Sequence, residues 1–420
     1  MTAKSASPNS YDVIIIGAGI IGLSIAWQLV RRSGLRIAVL ERGAGVGEGS
    51  TGASSAVCRF RYSHDHMVGL ARDGIAAYQN WAEYTGLLEP RADYQQDGVL
   101  WIPGDDQRWA FIQQERMSSL GIDCEVLDSS EILRRFPSLS VCTRAPDFET
   151  GEAHDCYAKD AHCLFEKTGG YVDPVSAAQD LVEACRNSGV EFRFGCSVSA
   201  ISRSGGRVTG VRVVEGSTYS APLVVNAAGP WCRDLFELAE VPLNWDLKPV
   251  RIQMLYRSRP AELQGPIPVT VDLPGGIYFR TQNRGQQLII GSVLEEDERE
   301  VVTNPDDYQL QTDSEFELAK LHALHHRLPA LGYAGKVTGY CGLYTVNHAD
   351  VHPVLGESSL DGFWVANGFS GHGFKLAPAV GSMIAKAITG ERSDFDTDVP
   401  LSFLSIDRAP LPLDSKSVLA

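Results

Sequence analysis

The stretch from Val13 to Glu41 constrains the fold of this chain more than any other. Val13-Ile14-Ile15-Ile16 is a continuous apolar run, the pattern of a parallel strand buried on both faces. Gly17-Ala18-Gly19-Ile20-Ile21-Gly22 follows and fits G-x-G-x-x-G. Ile20 to Val30 has helical periodicity, and Arg36 to Leu40 reads as a second strand ending on Glu41, 19 residues beyond Gly22. Each part has a chemical reason. The first glycine permits a tight turn, the second lets the backbone approach a pyrophosphate, and the third allows close strand–helix packing. The helix N-terminus stabilises phosphate charge, and the acid can accept from ribose hydroxyls. Strand, turn, helix, strand and acid in this order predict a βαβ dinucleotide site. It comprises Gly17, Ala18, Gly19, Ile20, Ile21, Gly22 and Glu41.

The rest of the chain does not continue as regular βαβ repeats. A small-residue loop, Gly47 to Ser55, precedes a helix whose apolar positions Met67, Leu70, Ala71, Gly74, Tyr78 and Trp81 recur at spacings of three and four. Gly98 to Ile102 reads as a strand. A helix is expected from Pro174 to about Asn187, then a strand at Phe192 and Phe194 and a hairpin around Ser204-Gly205-Gly206. Leu223 to Asn226 is a buried-type strand stopping at Ala227-Ala228-Gly229. From about Pro242 to Tyr333 the pattern alternates, notably at Arg251–Tyr256, Gly276–Thr281 and Gln287–Val293, predicting a second, largely antiparallel sheet. Phe363 to Ala366 returns to an apolar strand, followed by a glycine-rich turn and a helix from about Leu376 to Ile388. The fold class is therefore α/β: a Rossmann-type domain assembled from discontinuous segments, plus a domain built on an antiparallel sheet flanked by helices.

Composition narrows the function classes. With 37 basic and 52 acidic residues the formal charge is -15, which argues against nucleic acid as a partner. Nine cysteines, with no Cys-x-x-Cys pair, read as reduced thiols rather than a disulfide framework or zinc site. No stretch is apolar for long enough to predict a membrane span. The expected compartment is the cytoplasm, and no metal site is expected.

Four motifs carry a resemblance. They are the fingerprint with Glu41-Arg42, the loop Ser50-Thr51-Gly52-Ala53-Ser54-Ser55, the strand end Val225-Asn226-Ala227-Ala228-Gly229-Pro230-Trp231, and Asn367-Gly368-Phe369-Ser370-Gly371-His372-Gly373-Phe374-Lys375. Together they resemble the flavin oxidoreductases of the D-amino-acid oxidase superfamily, in its sarcosine oxidase and dimethylglycine dehydrogenase branch. The likeness runs from about Tyr11 to Leu401 and is loose between Glu89 and Phe165. It implies FAD as cofactor. It also implies removal of a hydride from the carbon next to an amine nitrogen of a small amino acid or N-alkyl amino acid, with oxygen or an electron carrier as acceptor. A 2-hydroxy acid as substrate and a partner-dependent flavin subunit are the alternatives; the oligomeric state is left open.

The resemblance also distributes roles. Arg42, Thr51, Ser54, Ser55, Val198, Ala227, Ala228, Gly229, Trp231, Gly342, Gly371, His372, Gly373, Phe374 and Lys375 join the cofactor site. The last turn gathers backbone N–H groups and a positive helix end at the flavin's pyrimidine edge. Arg61 and Lys375 are implied as a carboxylate clamp, with Arg59 as a competing register. Tyr344 and Tyr278 are implied as pocket walls. His372 is the histidine nearest the flavin loop, with His64 and His66 as further proton carriers. The family's flavin-linking cysteine slot is Gly342, so the cofactor is expected to be non-covalent, with a link through the shifted Cys341 as the lesser alternative. The family's oxygen-assisting lysine aligns near Ile289, an apolar residue, which leaves oxidase against dehydrogenase open. The expected FAD-binding domain comprises 10–90, 166–238 and 337–402, and the substrate domain 91–165 and 239–336. Flexible tails are expected at 1–9 and 403–420.

Overall fold

Val13–Ile16 is buried at all four positions and lies at the centre of a sheet, which explains its lack of polar alternation. In the computed structural model, which describes residues 9–104, 106, 108–148, 161–332, 335–413 and 419, it pairs in parallel with Ile37–Leu40 on one side and Leu223–Asn226 on the other. The full order of this six-stranded sheet is Val354–Glu357, Phe363–Asn367, Leu223–Asn226, Val13–Ile16, Ile37–Leu40 and Glu191–Arg193. Only the edge strand Val354–Glu357 runs antiparallel to its neighbour. The chain leaves the first strand toward one side and returns much later on the other, so a crevice opens at the carboxyl ends of the central strands.

The helices are packed close to that crevice by small residues. A Cβ on Gly381, in the last helix (Gly373–Thr389), would lie 2.6 Å from the Ser24 carbonyl of the first helix (Ile20–Val30). One on Gly74, in Asp65–Gln79, would lie 2.2 Å from the Lys375 carbonyl. Pro378 sits inside the last helix and has no N–H to offer the Phe374 carbonyl four residues back. The Tyr78 hydroxyl donates to that carbonyl instead, at 2.9 Å. The start of the last helix is thereby fixed against Asp65–Gln79.

The second sheet has eight strands, in the order Val337–Asn347, Leu247–Ser258, Gln287–Ser292, Ile277–Gln282, Val269–Asp272, Val99–Ile102, His162–Glu166 and Cys124–Asp128. It is antiparallel except where Val269–Asp272 runs parallel to Val99–Ile102. Val337–Asn347, which follows the expected domain boundary at 337, pairs along Leu247–Arg257 and so belongs to this sheet. The tail expected from 403 is packed over 403–413: Leu404 and Ile406 bond with Leu355, and Arg408 forms an ion pair with the buried Asp350. Residues 1–8, 414–418 and 420 of the expected tails, with Tyr333 and Cys156, lie outside the described residues. The eight described cysteines are buried, and no two of them form a disulfide. Among the described residues no helix is long and apolar enough to cross a membrane.

One face of the second sheet packs on the helix Ser314–Arg327. There Arg327 and Asp272, both fully buried, form a two-pronged pair at 3.0 and 2.9 Å. Arg327 also donates to the carbonyls of Ser140 and Cys142. Removing one member strands a buried charge, which typically costs about 3–5 kcal/mol. Arg327→Met should therefore lower stability by about that amount, and the double replacement with Asp272→Leu should recover part of it. Urea unfolding of the three proteins checks this.

Candidate active site

The crevice is a cleft of about 460 Å³ lined by the carboxyl ends of Val13–Ile16 and Ile37–Leu40, the start of the first helix and the turn before the last helix. At its floor Gly17 has φ +108°, and a Cβ there would meet the Ala227 carbonyl at 2.5 Å. A Cβ on Gly22 would meet the Gly17 carbonyl at 2.0 Å, so Gly22 serves strand–helix packing and does not line the cleft. Gly17, Ala18, Gly19, Ile20 and Ile21 do line it. No side chain of the N-cap residue caps the first helix. The Ile20 N–H is met by the Thr51 hydroxyl at 3.0 Å, which ties the small-residue loop to the glycine turn.

Glu41 is held by the backbone N–H groups of Ala18 (2.8 Å) and Gly43 (2.7 Å), which orient its carboxylate at the cleft wall. Arg42 lies over the Trp231 ring at 4.5 Å, and both bind Asp306. Val198, Ala227, Ala228, Gly229 and Trp231 complete that end. At the other end, Gly368, Ser370 and Gly371 all have positive φ, at +75°, +46° and +84°. Such a run turns successive N–H groups toward one side. Ser370 tolerates the strained conformation because its N–H donates to Thr345 (2.9 Å) and its hydroxyl accepts from Asn347 N–H (3.0 Å). The last helix starts here, also without a side-chain cap from its N-cap residue. Two helix N-termini facing one cleft, with glycines where a Cβ would fill it, fit a dinucleotide with a phosphate near one end and an anionic ring edge near the other.

A smaller cavity of about 40 Å³ adjoins the cleft, sharing Ser54, Tyr344, Gly371 and Phe374 with it. Lys375, Tyr278, Ser55 and Arg59 line it. The Tyr278 hydroxyl is 3.0 Å from that of Ser55, and its ring lies where a side chain on Gly291 would stand, with ring atoms 2.5 Å from that Cβ position. Burial raises the proton affinity of both tyrosines. Burial, followed by the Arg59 charge, lowers the Lys375 ammonium to about 7.

Several expected placements are corrected. Arg61 does not reach this cavity: its guanidinium lies over the rings of Trp101 (5.3 Å) and Trp109 (5.4 Å) and donates to the Leu419 carbonyl. Arg59, the competing register, is the arginine beside Lys375. The reason is Glu166, a fully buried carboxylate that accepts from the consecutive N–H groups of Phe60 (2.8 Å) and Arg61 (2.9 Å) and from the Trp101 indole (3.0 Å). Consecutive N–H groups on one carboxylate turn the chain, and the two arginines diverge. His372 lines neither cavity and packs edge-on against Tyr62 at 5.2 Å. Gly342 lies against Ala53, outside both linings. Cys341 turns to the Gln311 carbonyl, so the geometry offers no support for a covalent link through it. Ile289 is buried in the second sheet opposite Arg280 and lines neither cavity.

Sequence reading missed Glu166 and Arg280. Arg280 is 3% exposed, donates to the Ser55 carbonyl at 2.7 Å and fixes the loop that carries Ser54 and Ser55. Each lies on a strand of the second sheet, in an otherwise apolar or alternating run (His162–Glu166 and Ile277–Gln282). A charged residue inside such a strand was the available signal.

The model of the FAD-dependent oxidoreductase (DAO) family matches residues 12–387. The chain belongs to that family. FAD is accordingly its cofactor, and the cleft described above has the residues to hold it. The chain is 26% identical to FAD-dependent oxidoreductase domain-containing protein 1 of Xenopus laevis, over 91% of this chain and 79% of that protein. It is 28% identical to mouse peroxisomal sarcosine oxidase, over 90% of this chain and 92% of that one. Among solved structures, L-proline dehydrogenase from P. horikoshii superposes with a TM-score of 0.80 at 21% identity, covering 95% of this chain and 98% of that chain. At that identity the likeness concerns the fold.

Lys375 generates a linkage that can be measured. Above about pH 7 it is neutral in the free protein, and a bound carboxylate restores its charge. At about pH 8 propionate should therefore bind with uptake approaching one proton, and at about pH 6 with almost none. Calorimetry in buffers of different ionisation enthalpy reads this directly. Equal uptake at both values would show that Lys375 is not the group.

Proposed function

We propose that the protein oxidises a small amino acid or N-alkyl amino acid at the carbon next to nitrogen. The observation that carries this reading is the buried pair of basic side chains, Arg59 and Lys375, in a small cavity that adjoins the FAD cleft beside two tyrosines. An arginine fork and a lysine point charge suit a carboxylate, and a cavity of about 40 Å³ suits a small one. The relatives support the same class: one acts, by name, on sarcosine, and a structural neighbour on L-proline.

FAD supplies the hydride acceptor. The chain's own residues bind, orient and manage the proton. Arg59 fixes the carboxylate, and Glu166 positions Arg59 by turning the backbone at Phe60 and Arg61. A substrate entering as a zwitterion gives its ammonium proton to neutral Lys375. The resulting lysine cation pairs with the carboxylate, and the amine is left with its lone pair free. Tyr278 and Tyr344 wall the cavity and hold the substrate's carbon toward the cleft. Such positioning supplies several kcal/mol of barrier reduction, on the order of that seen in oriented intramolecular reactions. The iminium product then hydrolyses to a carbonyl compound and an amine. Oxygen or an electron carrier takes the electrons onward. We place the protein in the cytoplasm, a reading supported by the absence of a disulfide between any two of the described cysteines.

Anaerobic addition of sarcosine, N-methyl amino acids, proline and D-amino acids to the purified holoprotein tests the proposal. One of these should bleach the flavin spectrum, and the rate of recolouring in air separates oxidase from dehydrogenase. Bleaching by 2-hydroxy acids alone would sink the amine assignment. Arg59→Met should weaken binding of the bleaching substrate by about 10- to 100-fold, the usual range for losing a hydrogen bond to a charged group. Arg61→Met should cost much less, as titration of the spectral change will show.

A further inference from the structure

Next to Lys375, outside the linings of both cavities, lies a line of polar rings. The Lys375 ammonium is 5.8 Å from the centre of the Tyr62 ring. Tyr62 meets His372 at 5.2 Å between ring centres, His372 meets His352 at 5.9 Å, and His352 meets His64 at 5.4 Å. His64 reaches the surface, where its Nε2–H donates to the Pro412 carbonyl at 2.7 Å. Tyr62, His372 and His352 are each fully buried. Yet the Tyr62 hydroxyl and all four ring nitrogens of the two histidines have no protein hydrogen-bond partner among the described residues.

Five such atoms in one contiguous group require an explanation, because buried polar atoms are almost always hydrogen-bonded. Ring centres 5–6 Å apart put neighbouring rings in direct contact, so the water that would satisfy these polar atoms lies at the ring edges. We propose that Tyr62, His372, His352 and His64, with ordered water between them, form a proton path connecting Lys375 to the surface beside the 403–413 segment. The inference rests on the amine-oxidase reading, in which Lys375 holds one substrate proton in each turnover. That proton must leave before the next zwitterion can bind. The carbon's hydride goes to FAD and the nitrogen lone pair closes the C=N bond, so exactly this one proton remains to be exported through the chain's own groups.

The surroundings suit passage rather than storage. Arg59 and Lys375 face His372, while Asp350, Arg408, His64 and Arg59 face His352. Burial keeps both rings neutral, His372 well below its usual range and His352 down to about 4. A neutral imidazole accepts a proton on one nitrogen as it releases one from the other.

The test uses the holoprotein with an amine that bleaches it. Single anaerobic turnovers are followed simultaneously by flavin absorbance and by a pH-indicator dye. In the wild type, proton release should keep pace with regeneration of the site. In His352→Phe and His372→Phe, release should lag at least about tenfold, a modest fraction of the usual effect of a positioned proton carrier, and added imidazole should restore it. His352→Gln, which keeps a polar side chain, should fall between. Nitrogen-15 spectra of the histidine rings give a readout independent of turnover: Lys375→Met should move the His372 and His352 signals together. Folded variants that release the proton at the wild-type rate, with ring signals unmoved by Lys375→Met, would overturn the path. Absence of bleaching by any amine would instead overturn the functional reading, so the two failures are distinct.

Discussion

The structure depends on a backbone approach too close for any side chain. Gly17 passes beneath the Ala227 carbonyl while Gly22 rests on the Gly17 carbonyl, with separations that exclude even a Cβ. This contact joins the first strand, the first helix and the end of a strand more than 200 residues later. It sets the depth of the cleft and the direction of the helix end that faces it. Thr51, bonded to Ile20 N–H, then hangs the small-residue loop from the same point, and that loop carries Ser54 and Ser55 to the second cavity. The cleft and the small cavity are thus referred to one junction.

Much of this was legible in the sequence because it is local. Buried parallel strands announce themselves as unbroken apolar runs, and the glycine spacing states where a backbone must come close. The last helix, expected from Leu376, begins at Gly373, three residues earlier, because the turn's glycines already have helical successors. The pairing of Val337–Asn347 was not legible for a different reason. Its partner is Leu247–Ser258, and nothing within an isolated strand says which distant strand will bond to it.

The choice between Arg59 and Arg61 was not legible for the same reason. Two arginines separated by one residue share a face if the chain is extended, and the sequence around them is compatible with that. The outcome is decided by Glu166, which lies over 100 residues away and captures two consecutive N–H groups. A buried carboxylate of this kind contributes no periodicity. Its only trace is a charge at the end of an apolar strand, and its effect is a change of direction elsewhere. Arg280 acts similarly on the Ser54–Ser55 loop. Most residues that line the two cavities were readable, and the residues that aim them were not.

The discontinuous sheet has a consequence for biosynthesis. Its central strand emerges first, but both faces of the cleft await Leu223–Asn226 and then Phe363–Asn367 and the last helix. Until Leu223–Asn226 has been made, Val13–Ile16 is an apolar strand with an unfilled hydrogen-bonding edge. Pairings of such long sequence separation form slowly, and exposed strand edges favour self-association during that interval. The nascent chain therefore carries an exposed apolar edge through that interval, and the lining of the cleft is complete only once the start of the last helix has been made.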